Sequence, residues 1–388
     1  MRPRWEVADV ITSHGKVFLK AYPQPWQVVK TLKAIGDCRT AALGGHKQQC
    51  SCCGHEQYQY NSCRNRHCPK CQAVNREKWI WHREQELLPV SYFHIVFTLP
   101  SELNSLTIHK PRQIYNSLFT AAWQTIRKFG EDPKHLGGQT GMTSVLHTWG
   151  QNLSLHPHLH CIVPGGGLTI AGKWKKARNK GKYLFPTKAL TKVFRAKFVS
   201  LVRGTGIEMD QLTAKRIFQK PWVVYAKQPF LGPSQVIEYL GRYTHKIAIS
   251  NHRIKRIDPD GTVHFLWKDY RNGGKRSAMQ LSAAEFLRRF CQHILPSGYV
   301  RIRHYGILSS RNKATKLNQA RTFFGLKKWQ KPEKVTWQQV TEQRMHFIAS
   351  QCPVCKKGIL RVIAVIDPQR GPPEINFSST KYYASYAV

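Results

Sequence analysis

MTSVLHTWGQNLSLHPHLHCIV, residues 142–163, decides how this chain folds. Runs rich in β-branched and aromatic residues, 142–149 and 155–163, flank the turn-like GQNLS, which predicts two strands turning back near Asn152. Side chains alternate along a strand, so His156, His158 and His160 share one face. Same-face neighbours lie roughly 7 Å apart, which lets His158 and His160 lean toward one cation. His156 and His160, roughly 13 Å apart, cannot both reach it. A third ligand must come from elsewhere, and hairpin pairing sets His147 opposite His158. Histidines at alternate strand positions also occur simply facing solvent, so the pattern needs a partner motif. Three imidazoles without a thiolate suit a divalent ion that keeps positions open for phosphate oxygens, although imidazole suits zinc equally well.

Working outward, YFHIVFTL (92–99) reads as a strand that Pro100 stops. Pro111 precedes an amphipathic helix with Ile114, Leu118, Ala122, Ile126 and Phe129 spaced about one turn apart. REKWIWHREQELLP reads as a helix ending at Pro89, and WVVYA (222–226) as a strand. IAISNHRI and the stretch around TVHFLW are expected strands split by the turn signal DPDG. Ser282 to Glu285 is a capping-box pattern opening another helix. Helices mixed with mostly hairpin-linked strands predict an α+β fold, an antiparallel-sheet core with a small N-terminal zinc-binding domain and a basic C-terminal region. The expected domains are 1–90, 91–255 and 256–388.

At 388 residues the chain can bury a full core in two or three domains. Its 61 Lys plus Arg against 21 Asp plus Glu give a formal net charge of +40. A charge that large and of one sign implies a polyanionic partner, nucleic acid before membrane. No apolar run is long enough to span a bilayer and no secretory signal pattern is present, so no membrane partner is expected. Eleven cysteines without an export signal point to metal sites rather than disulfides.

Seven of the eleven fall between Cys38 and Cys71. Cys50-x2-Cys53 and Cys68-x2-Cys71 are two thiolate pairs that together complete a tetrahedral zinc site. Cys38, His46, Cys63 and His67 interleave with them and could hold a second zinc, the alternative being that either histidine is simply a surface residue; Cys52 is the spare. Such closed sites are structural. Cys352-Pro-Val-Cys355 is a half-site whose simplest reading is a plain turn, unless His346 or a distant residue joins it.

EYLGRYTHK, residues 238–246, puts Tyr239, Tyr243 and Lys246 on one face of a helix, about 40° and 20° apart on either side. Ser234 is the expected N-cap. Two phenols at this spacing also fit a packed core face, with Val236, Ile237 and Leu240 as alternatives for the buried side. The active reading makes a tyrosine the nucleophile toward a phosphodiester, with a cation polarising the phosphate. A second tyrosine would let one strand be held while another is cut. KWKKARNKGK (173–182) contributes Lys173, Trp174, Lys175, Lys176 and Arg178. It reads either as a solvated hairpin tip or as cations tracking phosphates while a base stacks on the ring. RIRHYGILSSRNK (301–313) has the same flavour, and Arg242 on the tyrosine helix is a further expected DNA contact.

HLH at 158–160 matches the histidine–hydrophobic–histidine (HUH) motif of endonucleases that nick single-stranded DNA, and FTLP (97–100) resembles their first strand motif. Tyr239-x3-Tyr243-x2-Lys246 resembles their two-tyrosine motif. SCRNRHCPKC, HPHLHCIVPGGG and YLGRYTHKIAISNHR, in that order, resemble the two-tyrosine rolling-circle transposases of bacterial insertion sequences, from about residue 25 to about residue 310. The resemblance implies an antiparallel sheet carrying the HUH pair, a catalytic Mg²⁺ or Mn²⁺, 5′-phosphotyrosine intermediates and an N-terminal zinc domain. It implies His158 and His160 as metal ligands, Tyr239 and Tyr243 as nucleophiles and Lys246 as an auxiliary cation. In relaxase relatives the third ligand is a histidine on the neighbouring strand, which favours His147. Single-stranded DNA at element ends and targets is the implied partner, in a bacterial cytoplasm and at the nucleoid. A plasmid replication initiator or relaxase would share this chemistry. A zinc-dependent DNA-binding protein without nuclease activity is the contrasting class.

Overall fold

The computed structural model describes residues 3–177, 184–230, 233–269 and 272–368. It divides the chain into two units, one from residues 1–78, 247–294 and 334–388, the other from 79–246 and 295–333. These differ from the three consecutive domains 1–90, 91–255 and 256–388 expected from composition. Local composition cannot report that stretches hundreds of residues apart pair with each other, and here they do.

In the first unit, α1 (Val7–Ala21) opens on a capping box between Glu6 and Asp9 and buries Val7, Val10, Ile11 and Phe18. Pro23 and Pro25 separate it from α2 (Trp26–Gly36), against which it packs. Strands β1 (Gly45–Cys50) and β2 (Glu56–Tyr60) form a hairpin whose tip carries Cys50 to Cys53. Helix α3 (Gln72–Glu84) runs across the division at residue 78.

The second unit begins with β3 (Tyr92–Thr98), followed by α4 (Asn104–His109) and α5 (Pro111–Glu131). Pro111 stands in the first turn of α5, where its missing N–H costs nothing. Ile114, Leu118, Ala122, Ile126 and Phe129 are all buried, as their spacing predicts. Strands β4 (Gly141–Trp149) and β5 (Leu155–Pro164) form the expected hairpin. A two-stranded ribbon of β6 (Gly166–Leu168) and β7 (Trp174–Lys176) follows, then α6 (Thr187–Arg203), α7 (Gln211–Gln219), β8 (Val223–Phe230) and α8 (Pro233–Thr244).

The chain returns to the first unit for a meander of β9 (Ile254–Ile257), β10 (Thr262–Asp269) and β11 (Lys275–Ser282). The strand expected over IAISNHRI is absent at 247–250, and pairing starts only at Ile254 after a short 3-10 turn at Asn251–Arg253. Ser282 caps α9 (Ala283–Cys291) through the Glu285 N–H. The Glu285 carboxylate turns instead to Arg288 and Arg289, leaving half of the expected capping box. Strand β12 (Ile302–Gly306) and α10 (Asn318–Phe323) belong to the second unit, α11 (Trp337–Met345) and β13 (Leu360–Ile366) to the first.

The core of the second unit is one antiparallel sheet in the order β12-β4-β5-β3-β8. One face is apolar: Phe93, Ile95, Phe97, Leu146, Leu159, Cys161 and Val163 pack with α5 and α6 into a large buried cluster. By strand alternation the opposite face carries His94, Val96 and Thr98 from β3, His147 from β4, and His158, His160 and Ile162 from β5. Helix α8 meets this second face through Val236, which is buried with Tyr92 and Ile162. Mixed helix and antiparallel sheet is the α+β architecture anticipated from the sequence.

Candidate active site and thiolate clusters

Register pairs His147 with His158 and Val145 with His160, so two neighbouring strands aim three imidazoles at one point. Their ligand nitrogens all lie within 4.8 Å of one another. The Nδ1–H of His158 donates to the carbonyl of His156 at 2.7 Å, which turns its Nε2 lone pair toward the cluster. Burial, reinforced by His156, pulls His158 down to about 4. Burial together with His147 and His158 drives His160 well below the ordinary imidazole range. His158 and His160 are therefore neutral at pH 7 and offer lone pairs, which is the donor state a divalent cation requires. His156 stays outside the cluster, as its strand position predicts.

Tyr239 reaches the same face from α8. Its hydroxyl lies 3.2 Å from Nδ1 of His94, and Nε2 of His94 lies 2.9 Å from Nδ1 of His160. His94 is the residue that sequence reasoning missed. It is a single histidine in the apolar run YFHIVFT, and only its even spacing from Val96 and Thr98 signals which face it takes. The side chains of Tyr243 and Arg242 lie outside the described residues. Lys246 departs from the expectation of a shared helical face, because α8 ends at Thr244. The Thr244 hydroxyl bonds back to the Gly241 carbonyl and Arg301 donates to the Lys246 carbonyl, so the chain turns off the helix there. Lys246 is exposed, and its charge still helps hold His160 neutral. Ser234, the expected N-cap, falls one residue after Pro233, where α8 begins, and its side chain lies outside the described residues.

The cysteines group otherwise than by nearness in sequence. Cys38, Cys63, Cys68 and Cys71 form one cluster, and Cys50, Cys53, Cys352 and Cys355 form another. The set Cys50, Cys53, Cys68, Cys71 is thus split, because Cys50 and Cys53 stand at a hairpin tip while Cys68 and Cys71 follow the strand leaving it. The set Cys38, His46, Cys63, His67 loses both histidines. His46 sits four residues before Cys50 on β1, roughly 13 Å away. His67 is buried between Cys63 and Cys68 but contributes to neither cluster. In the first cluster Cys38 and Cys63 sulfurs lie 3.5 and 3.7 Å from that of Cys71. A zinc tetrahedron with bonds of about 2.3 Å has edges of about 3.8 Å, whereas a disulfide would be far shorter. Hydrogen bonding from Cys63 and Cys68 draws Cys38 down to about 7. Four sulfurs crowded this closely fit a shared cation.

Of the basic stretches, Trp174 is buried, packed among Leu168, Ile307 and Leu308 and 5.8 Å from the Phe324 ring. It is not available to stack a base, because the β6–β7 ribbon folds its ring inward. Lys173, Lys175 and Lys176 remain partly or fully exposed, and Arg178 lies outside the described residues. In the 301–313 stretch, Lys313 is buried on Glu86 at 2.6 Å and Arg303 stacks 4.2 Å above the Phe119 ring, so both support the fold.

Comparison with known proteins assigns the class. Residues 141–316 match the family described as "Putative transposase", and residues 10–99 match "Transposase zinc-binding domain". The chain is 40% identical over 392 residues to "Putative transposase y4qJ" of Sinorhizobium fredii, covering 95% of this chain and 97% of that one. It is 29% identical over 304 residues to "Transposase for insertion sequence element IS801" of Pseudomonas savastanoi pv. phaseolicola, covering 73% and 70%. No solved structure matches. The chain belongs to the insertion-sequence transposases that carry an N-terminal zinc-binding domain, the family its motifs resemble. Members of this family act on DNA. Among the described residues no helix is long and apolar enough to cross a membrane.

Proposed function

We propose that this transposase nicks and rejoins single-stranded DNA at element ends through a 5′-phosphotyrosine at Tyr239, for rolling-circle movement. The observation that carries the reading is the chain of contacts from the three-histidine cluster through His94 to the Tyr239 hydroxyl. His147, His158 and His160 would hold Mg²⁺ or Mn²⁺, which supplies polarisation of the phosphate and orientation of the leaving oxygen.

If Nε2 of His160 held the cation, its ring proton would sit on Nδ1 and donate to Nε2 of His94, 2.9 Å away. The proton of His94 would then be on Nδ1 and donate to the phenol oxygen. His94 thus acts as a donor to the nucleophile and not as its base. As the Tyr239 oxygen attacks phosphorus, its own proton leaves to solvent, the P–O3′ bond breaks and the 3′ oxygen is protonated on departure. A free phenol titrates near pH 10, so a fixed donor favours its anion at neutral pH. Reversal by an incoming 3′ hydroxyl rejoins the strand, and Tyr243 would serve as the second acceptor. Exposed lysines, Lys246 among them, would attract the DNA backbone. Cys38, Cys63, Cys68 and Cys71 would bind a structural zinc.

An end-derived single-stranded oligonucleotide with Mn²⁺ is expected to give a denaturation-resistant adduct whose modified peptide maps to Tyr239 or Tyr243. Tyr239→Phe is expected to remove the Tyr239 adduct. Binding of the oligonucleotide with no adduct from the intact chain would favour the non-catalytic reading and overturn this one.

A further inference from the structure

We propose that Cys50, Cys53, Cys352 and Cys355 bind a second structural Zn²⁺, which clasps the C-terminal strand to the N-terminal hairpin. The residues matching the zinc-binding family end at 99, so half of this site lies far outside that domain. Cys50 and Cys355 are 305 positions apart, yet their sulfurs lie 3.6 Å from each other, and those of Cys53 and Cys352 lie 3.7 Å apart. Both spacings again suit the edges of a zinc tetrahedron, about 3.8 Å, and are too long for a disulfide.

The backbone around the sulfurs repeats itself. Each Cys-x2-Cys closes a tight turn: Gly54 N–H donates to the Cys50 carbonyl at 3.3 Å, and Lys356 N–H to the Cys352 carbonyl at 3.0 Å. The residue after each second cysteine is left-handed, Gly54 at φ 69° and Lys356 at φ 56°. Lysine has no intrinsic reason to adopt that conformation, so its surroundings impose it. N–H groups point at sulfur in both turns, from Cys52 to Cys50 and from Gly358 to Cys355, each at 3.3 Å. Gly358 has no room for a side chain, since an added Cβ would overlap the Cys50 sulfur and the Cys52 Cβ. The two turns stand at the ends of strands that pair in one sheet, β13-β1-β2, with Cys50 opposite Leu360. Cys352 is fully buried and Cys50 is 4% exposed, while Cys355 is partly exposed and Cys53 lies at the surface, so two of the four thiols are enclosed with few apolar neighbours to justify it. Soft thiolates in a closed tetrahedron select zinc among the common divalent ions. Cys52 does not belong to the set of four and is exposed.

The test uses the full chain on a His158→Ala, His160→Ala background, which removes the imidazole site. Metal analysis is expected to give two zincs per chain, falling to one in Cys352→Ser, Cys355→Ser. Should that variant fail to fold, alkylation of the unmutated cysteines decides. Cys352 and Cys355 are expected to resist iodoacetamide until a chelator is added, while Cys52 reacts at once. Two zincs persisting in the serine variant, iron in place of zinc, or free alkylation of Cys352 and Cys355 before chelation would each overturn the proposal.

Discussion

At His94 two hydrogen bonds meet, one toward His160 and one toward Tyr239. The ring is 3% exposed and has no access to bulk water as an alternative partner. It is a positioning residue in the proposed reaction, because it acts through the phenol and not on the phosphate. His94→Phe keeps a ring of similar breadth but removes both nitrogens. It is expected to slow adduct formation about 10- to 100-fold, the usual cost of removing an outer partner of a metal-ligand histidine. The readout that separates positioning from plain packing is the pH profile. Without the donor the phenol ionises less readily, so the variant should need a higher pH to reach the same rate. A slower rate at an unchanged pH profile, measured as adduct formed in single turnover, would reduce His94 to a packing role.

At the scale of the element, the β6–β7 ribbon shows how a charged stretch can hide a core residue. Trp174 sits between Lys173 and Lys175 in sequence, but strand alternation sends the ring inward and the lysines outward. Trp174→Ala is expected to destabilise the second unit by about 3–5 kcal/mol, the range for a large buried aromatic. Oligonucleotide affinity per folded molecule should be unchanged, and urea unfolding alongside fluorescence anisotropy tests both. Loss of affinity without loss of stability would restore the stacking role.

The same contrast explains what could be read ahead. His147 opposite His158 was legible because one short turn, GQNLS, fixes the register of β4 on β5. His94 was not, because α4, α5 and β4 intervene before β3 finds β5, and nothing local encodes that pairing. The end of α8 before Lys246 was equally hidden, since the carbonyl that Arg301 claims belongs to a partner 55 positions away. Cysteine spacing pointed to metal sites but not to which pairs come together. Two turns of the same Cys-x2-Cys type are interchangeable in sequence and are told apart only by the sheet that carries them.

At the scale of the molecule, the first unit is stitched from three stretches of chain and the second from two. The second unit holds a large apolar cluster under its sheet and depends on no thiolate. In the first unit, both sulfur clusters join segments that the sheet alone would hold through a few short strands. Thiolate-bound zinc contributes directly to folding, and its removal leaves crowded sulfurs whose mutual repulsion opposes closure. Chelation should therefore act unevenly. Amide exchange after treatment with a strong zinc chelator is expected to lose protection at residues 45–60 and 360–366. Strands at 92–98, 141–149 and 155–164 should keep theirs, because their hydrogen bonds lie over the apolar cluster. On heating, the chelated protein should show a separate early transition for the first unit, in place of a single cooperative loss. Uniform loss of protection across both sheets would mean that the units do not unfold independently. Unchanged exchange at 360–366 would mean that β13 is held without the metal clasp.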